Sequence, residues 1–352
     1  MTDRRARDLD VVRRLVRVAS PTGSVDKAVA TLVDIFRERG FDEAYVDEVG
    51  NAVGVAGRGP REILLVGHID TVPGDLPVRE EDGVLWGRGS VDAKGPLAAF
   101  TAAASRFAGD PRVRIVVVGS IDEEAESEGA KSLIPRYRPE TLVIGEPSGV
   151  DGVTIGYKGI VKIRYVLEED LAHTGAPFPT VADRGLAFWS AVQGFLAPLH
   201  GESLFDTPTA KLTSFNTTLL PNGRDHVEIV GNVRIPPGFD APAFLDFLKA
   251  RAGPATVDIA EVDPAWVADK SSAVARSFIA AVRANGLTPR YVKKTGTSDM
   301  NILAPAWNVP CVAYGPGDAS LDHTPQERLV LSEYLASVEV LADALERLAS
   351  GF

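Results

Sequence analysis

The residues best suited to chemistry in this chain lie just past short apolar runs. "ILLVGHID" ends in His68 and Asp70, and "GRGSVDAKG" carries Asp92 in a glycine-rich loop. "VRIVVVGSIDEEAE" runs into Glu123 and Glu124, "TLVIGEP" into Glu146, and "SLDHTPQE", far downstream, supplies His323. Imidazole and carboxylate donors are those that zinc, cobalt or manganese accept. Two histidines and three carboxylates (His68, Asp92, Glu124, Glu146, His323) suit two such cations with one carboxylate shared. A cation pair of that kind polarises a carbonyl and activates water. Asp70, two residues from His68, can accept the other imidazole N–H and fix its tautomer. In an extended segment the adjacent Glu123 and Glu124 point opposite ways. One then faces a cation, and the other is free to pass a proton from water to a leaving amine. Cations among them would also explain why so many acids crowd one strand end. A nucleotide loop is disfavoured, because "GRGSVDAKG" lacks the spacing G-x-x-x-x-G-K-[ST] and Lys94 is followed by Gly95 and Pro96.

The elements that must position these residues alternate along the first half of the chain. Residues 8–19 have helical amphipathic spacing, and "SPTGSVDKAVATLVDIFRERGF" reads as a cap region followed by a second helix. The apolar runs before His68, Glu123 and Glu146 read as buried strands, and "PLAAFTAAASRFAG" as an alanine-rich helix between two of them. Unbroken apolar strands separated by helices indicate an α/β domain with a mainly parallel sheet, whose ligands bind beyond the carboxyl ends of the strands. Near Gly156 the pattern changes. "GIVKIRYVLEE" partly alternates, and is followed by a helix near 181–196, strands "AKLTSFNTTLL" and "HVEIVGNVRIPP", a helix "APAFLDFLKARA" and a strand "ATVDIAEV". That order, β-α-β-β-α-β, is ferredoxin-like. The α/β style then returns. We expect a catalytic domain in two parts, 1–157 and 265–352, interrupted by a smaller inserted domain, 158–264.

Composition narrows the class. The 352 residues are 45% hydrophobic and 24% charged, as in a soluble globular protein. A formal charge of −11 argues against a nucleic-acid or anionic-membrane surface. No stretch approaches the roughly 20 apolar residues of a membrane helix. The start, "MTDRRARDLDVV", has no apolar segment behind its charges, so a cytoplasmic location is expected. The single cysteine, Cys311, sits in the apolar "VPCVAYG" and reads as a buried, inert thiol.

"GHIDTVP", "GRGSVDAKG", "DEEAESEGA", "GEPS" and "DHTPQE", in this order and spacing, resemble the di-zinc aminoacylase and peptidase family of acetylornithine deacetylase and succinyl-diaminopimelate desuccinylase. The resemblance implies two divalent ions, Zn2+ or Co2+ with Mn2+ also accepted. His68 and Glu146 would bind one, Glu124 and His323 the other, with Asp92 bridging. It implies Glu123 as general acid/base and Asp70 as the group that orients His68. It further implies that the inserted domain is a lid that mediates homodimerisation. His173 in "DLAHTGAP" resembles the lid histidine that stabilises the oxyanion in a partner subunit's site, although "EED" replaces the usual glycine-containing lead-in. Asn216 and Arg234 resemble lid residues that bind the scissile carbonyl region and a substrate carboxylate. A guanidinium suits a bidentate clamp, but Asn232 stands where the family often has an acid. Ser298 in "KKTGTSDMN" and Gly315 in "YGPG" resemble substrate-side contacts.

Within that family, the compact lid and "KTGTSDMNIL" look most like the branch that releases lysine or ornithine from a small acidic amino-group carrier protein. Deacetylation of N-acetylornithine or N-acetyl-lysine, or hydrolysis of another small acyl-amino acid or dipeptide, is the alternative. Arg4, Arg5 and Arg7, or Lys293 and Lys294, offer local basic patches for an acidic carrier despite the net charge. Asp299 or Glu128 could meet the substrate's ammonium group.

Overall fold

The computed structural model describes residues 2–351 other than Ala172, Thr174 and Ala176. The chain divides into two compact units, Met1–Gly156 with Ala268–Lys293 and Ser298–Phe352, and Tyr157–Val267 with Lys294–Thr297.

In the first unit the apolar runs form the middle of a sheet. Its order runs Glu43–Val46, Ala52–Ala56, Val113–Ser120, Arg61–His68, Thr141–Gly145, Cys311–Ala313, Gly152–Tyr157, and the last of these also pairs with the short strands Trp266–Val267 and Arg290–Lys294. The four members from Val113–Ser120 to Cys311–Ala313 are parallel, and antiparallel strands border them. Strands covered on both faces need apolar side chains at every position. Leu64, Leu65, Val66, Val116, Val117, Val118, Leu142 and Val143 are accordingly all fully buried. The helix Lys94–Ala104 is buried at every position because it contacts the sheet and also the helices Thr2–Arg17 and Leu331–Ala349. Alanine and glycine allow this closeness, since a Cβ at Gly145 would lie 2.9 Å from the Phe100 ring. Cys311 is buried in its strand, as expected.

The register makes three strands end level. His68 pairs with Ser120, and Gly67 with both Gly119 and Gly145. The chain just beyond these ends carries Asp70, the acidic turn 121–127 and Glu146. A small antiparallel sheet, Arg79–Glu81, Val84–Trp86 and Arg328–Val330, aligns the loop 87–93 with the segment 322–327. Asp92 and His323 therefore reach the same neighbourhood from elements more than 200 residues apart.

The second unit runs Gly159–Asp170, Val181–Leu196, Thr209–Leu219, Arg224–Ile235, Ala241–Ala252, Thr256–Asp263. Its antiparallel sheet has the order Thr209–Leu219, Arg224–Ile235, Gly159–Asp170, Thr256–Asp263. This is the ferredoxin-like arrangement. Alternate residues of Gly159–Asp170 are buried, and Ile163, Tyr165, Ile229, Phe188, Trp189, Phe244 and Leu248 form the unit's own core. Tyr165 stacks on Phe188 with centroids 4.5 Å apart. Among the described residues no helix is long and apolar enough to cross a membrane.

Two local expectations fail. The helix Asp26–Glu38 begins after Val25 with no side-chain cap. Thr22, in the stretch that reads as a cap region, donates its hydroxyl to Asp70 instead. Residues 121–127 form a tight turn rather than an extended segment, with Asp122 at φ +68° and Ser127 at φ +52°.

Candidate metal centre and active site

His68 closes its strand with the ring 2% exposed. Its Nδ1 donates to the Asp70 carbonyl oxygen at 2.9 Å. With that proton on Nδ1, a neutral ring presents a lone pair at Nε2. Nε2 faces only acceptors, Asp92 Oδ1 at 3.0 Å and Glu146 Oε1 at 3.9 Å. On the other side, His323 Nε2 lies 2.9 Å from Asp92 Oδ2 and 3.1 Å from Glu124 Oε1. Each imidazole thus meets one oxygen of Asp92 and a second carboxylate of its own. Lone pairs aimed at one another need either extra protons or cations between them.

The proton affinities show the same demand. Burial opposes a charge on His68, but Asp70, Asp92 and Glu123 hold its pKa well above the ordinary value. Hydrogen bonds to Asp92 and then Glu124 lift His323 to about 10. Burial pushes Asp92 up, yet its bonds to His323 and His68 outweigh this and leave it well below the usual carboxylate range. The donor set therefore fits divalent cations, which would supply the positive charge while leaving both rings neutral. His68, Asp92 and Glu124 already bring one ligand atom each within 4.8 Å of one another.

Asp70 is fully buried, but its carboxylate does not orient His68 in the expected way. Oδ1 is 3.7 Å from Nδ1, beyond hydrogen-bond reach, and the main-chain carbonyl makes that contact. The carboxylate instead accepts the N–H groups of Glu123 (3.2 Å) and Glu124 (3.3 Å) and the Thr22 hydroxyl (2.7 Å). Asp70 therefore holds the turn that aims the two glutamates. The backs of that turn are held by Asn51, whose Oδ1 accepts from Ile121 N at 3.1 Å, and by Asp122, whose Oδ2 accepts from Glu126 N. Burial drives the Glu123 pKa well above its ordinary value; His68 opposes, while Glu146, Asp299 and Glu124 add to the rise. Asp122 serves the turn, and Glu126 and Glu128 are exposed. Of the five crowded acids, two face the site.

Asp299 is 2% exposed, and its Oδ1 has no hydrogen-bond partner among the described residues. Burial pushes it up to about 7, against His68 and a bond to Ser127. Ser298 is buried at the start of the helix Met300–Trp307, its N–H on Asn301 Oδ1 and its Oγ accepting from Met300 N. Gly315 is buried where a Cβ would fall 2.6 Å from Pro96 and 2.9 Å from the Glu146 carbonyl oxygen. Close packing alone therefore calls for glycine there. The other expected residues lie in the second unit. His173 is exposed with Nδ1 accepting from Gly175 N, Asn216 bonds Ser214, and Arg234 Nη1 donates to Thr297 Oγ1 at 2.6 Å.

Asn51, Thr22 and Glu327 escaped the sequence reading. Glu327 alone had a signal, as the last residue of "DHTPQE". The other two act on partners 48 and 70 residues away and carry no local pattern.

The profile of peptidase family M20/M25/M40 matches residues 64–347. A Thermococcus kodakarensis protein provisionally named LysW-lysine/LysW-ornithine hydrolase is 45% identical over 348 residues, covering 97% of this chain and 92% of that one. The LysW-lysine hydrolase of Deinococcus radiodurans is 41% identical, covering 97% of each. Aminopeptidase PepT of Bacillus cereus shares the fold, with a TM-score of 0.78 at 22% identity over 98% of this chain and 99% of that one. The chain therefore belongs to peptidase family M20/M25/M40 and is a metal-dependent amide hydrolase.

Proposed function

We propose that the protein releases lysine or ornithine from a small acidic amino-group carrier protein, by hydrolysing the amide between a carrier glutamate γ-carboxyl and the α-amine of the amino acid. The observation that carries this reading is the full-length likeness to relatives named for LysW-lysine and LysW-ornithine hydrolysis, joined to an intact donor set at the strand ends. His68 and Glu146 would hold one cation, His323 and Glu124 the other, and Asp92 would serve both. Bound there, zinc, cobalt or manganese would polarise the scissile carbonyl and acidify the attacking water.

The remaining work falls to this chain's side chains. Glu123 takes the proton as water attacks the carbonyl carbon, and its raised proton affinity suits that role. It then gives the proton to the departing amine as the C–N bond breaks, leaving a free carboxylate on the carrier. Asp70 keeps Glu123 in place through its N–H. In the second unit Arg234 would clamp a substrate carboxylate and Asn216 the carbonyl region. His173 would stabilise the oxyanion in the partner copy of a homodimer built through this lid unit. Ser298 and Gly315 would line the substrate side.

The test is mass-spectrometric hydrolysis by metal-loaded protein of carrier-linked lysine and ornithine, beside free N-acetyl-lysine and N-acetylornithine. Far faster release from the carrier conjugates is expected, with a loss of about 10²–10⁴-fold in Glu123→Ala. Preference for the free acetyl compounds would refute the carrier assignment, and undiminished Glu123→Ala activity would refute the role of Glu123.

A further inference from the structure

We propose that Glu327 is a positioning residue that aims Asp92 at the two imidazoles. Its carboxylate is fully buried. Oε1 accepts two main-chain N–H groups, from Val91 at 3.0 Å and from Asp92 itself at 3.1 Å. Oε2 accepts from Arg88 Nη1 at 2.8 Å. Arg88 in turn donates to the carbonyls of Gly74 and Thr324, both at 3.2 Å. A buried carboxylate so engaged is strongly fixed, because losing Arg88 would leave its charge uncompensated and losing either N–H would leave a buried lone pair unsatisfied.

The placement matters because of what lies on either side. The Asp92 peptide nitrogen is tied to Glu327, while its two carboxylate oxygens point to His68 and His323. Main chain and side chain of Asp92 are thus held from opposite ends. Glu327 also lies four residues after His323, and the pairing of Arg328 with Trp86 continues into Gly87 N–H on the Glu327 carbonyl at 3.4 Å. One segment therefore delivers both an imidazole to Asp92 Oδ2 and an anchor to Asp92 N–H. The spacing of His323 to Asp92 is set within that segment rather than by two independent loops. His323 itself sits at φ +61°, a conformation that persists only when its surroundings hold it. Groups that orient a bridging ligand typically matter 10–100-fold for metal affinity.

The inference rests on Asp92 being a metal ligand, so the experiment includes Asp92→Asn. Cobalt affinity is measured on full-length protein by competition with a chromophoric chelator, together with the visible Co2+ spectrum. Glu327→Ala should bind cobalt 10–100-fold more weakly. Because that variant strands Arg88, two paired variants isolate the acceptor. Glu327→Gln with Arg88→Met keeps an oxygen for both N–H groups and should stay within about threefold of wild type. Glu327→Leu with Arg88→Met has similar bulk but no acceptor, and should fall with Glu327→Ala. Folded Glu327→Ala or Glu327→Leu/Arg88→Met protein with wild-type affinity and spectrum overturns the proposal. So does a Glu327→Gln/Arg88→Met protein weakened tenfold or more, whether or not the other variants fold. If Asp92→Asn binds cobalt as wild type does, the metal-site reading fails instead.

Discussion

At the scale of single residues, the site is a set of acceptors held face to face. Two imidazoles cannot satisfy Asp92, Glu124, Glu146 and Glu123 without borrowed protons, and the raised His68 and His323 show the borrowing. Asp299 stands behind this group with an unpartnered oxygen, and its carboxyl, ordinarily at 3.8, is pushed up to about 7. Between those values the unfolded chain has lost a proton that the folded chain keeps. The stability Asp299 contributes is therefore complete below pH 4 and lost as pH rises through 7. Asn stays neutral in both states. In metal-free protein, Asp299→Asn should gain on wild type by on the order of 2–4 kcal/mol between pH 5 and pH 8. Urea unfolding at the two pH values checks this. An equal difference at both would mean that the Asp299 carboxyl is not raised.

At the scale of elements, function depends on strand ends being level and helix starts being held. The second unit offers a clean example, because Thr180 and Asp183 form a reciprocal cap on the helix Val181–Leu196. Thr180 N–H donates to Asp183 Oδ2 at 2.9 Å and Asp183 N–H to Thr180 Oγ1 at 3.2 Å. Thr180→Ala should cost about 1 kcal/mol, read by urea unfolding, with cobalt affinity in the first unit unchanged. A loss of cobalt affinity would show that the two are coupled. The same element scale shows what a sequence can disclose. The strands 61–68, 113–120 and 141–145 were legible because burial on both faces demands unbroken apolar residues, and each announces its end with the polar residue that matters. The ferredoxin-like order was legible from alternation interrupted by two helices. The strand Ala52–Ala56 and the three-stranded sheet around Trp86 were not, being too short to show a period. The turn at 121–127 was misread as extended because its shape comes from Asn51 and Asp70, whose hydrogen bonds to it span long sequence separations.

At the scale of the whole molecule, the two units have separate cores, and every candidate metal ligand lies in the first. Ligand binding stabilises only those states whose unfolding releases the ligand, by RT ln(1 + [L]/Kd), about 2.7 kcal/mol at a hundredfold excess over Kd. Metal should therefore slow amide exchange in the strands Arg61–His68, Val113–Ser120 and Thr141–Gly145, whose ends carry His68, the acidic turn and Glu146. The second unit's strands Gly159–Asp170 and Arg224–Ile235 pack on Tyr165, Trp189, Ile229 and Phe244, residues that hold no metal. Opening of that core by itself would expose those strands without releasing metal. Hydrogen–deuterium exchange with and without zinc should thus show about a hundredfold protection confined to the first unit at that excess. Equal protection in both would mean that they unfold as one cooperative body, and the metal would then stabilise the second unit as firmly as the first.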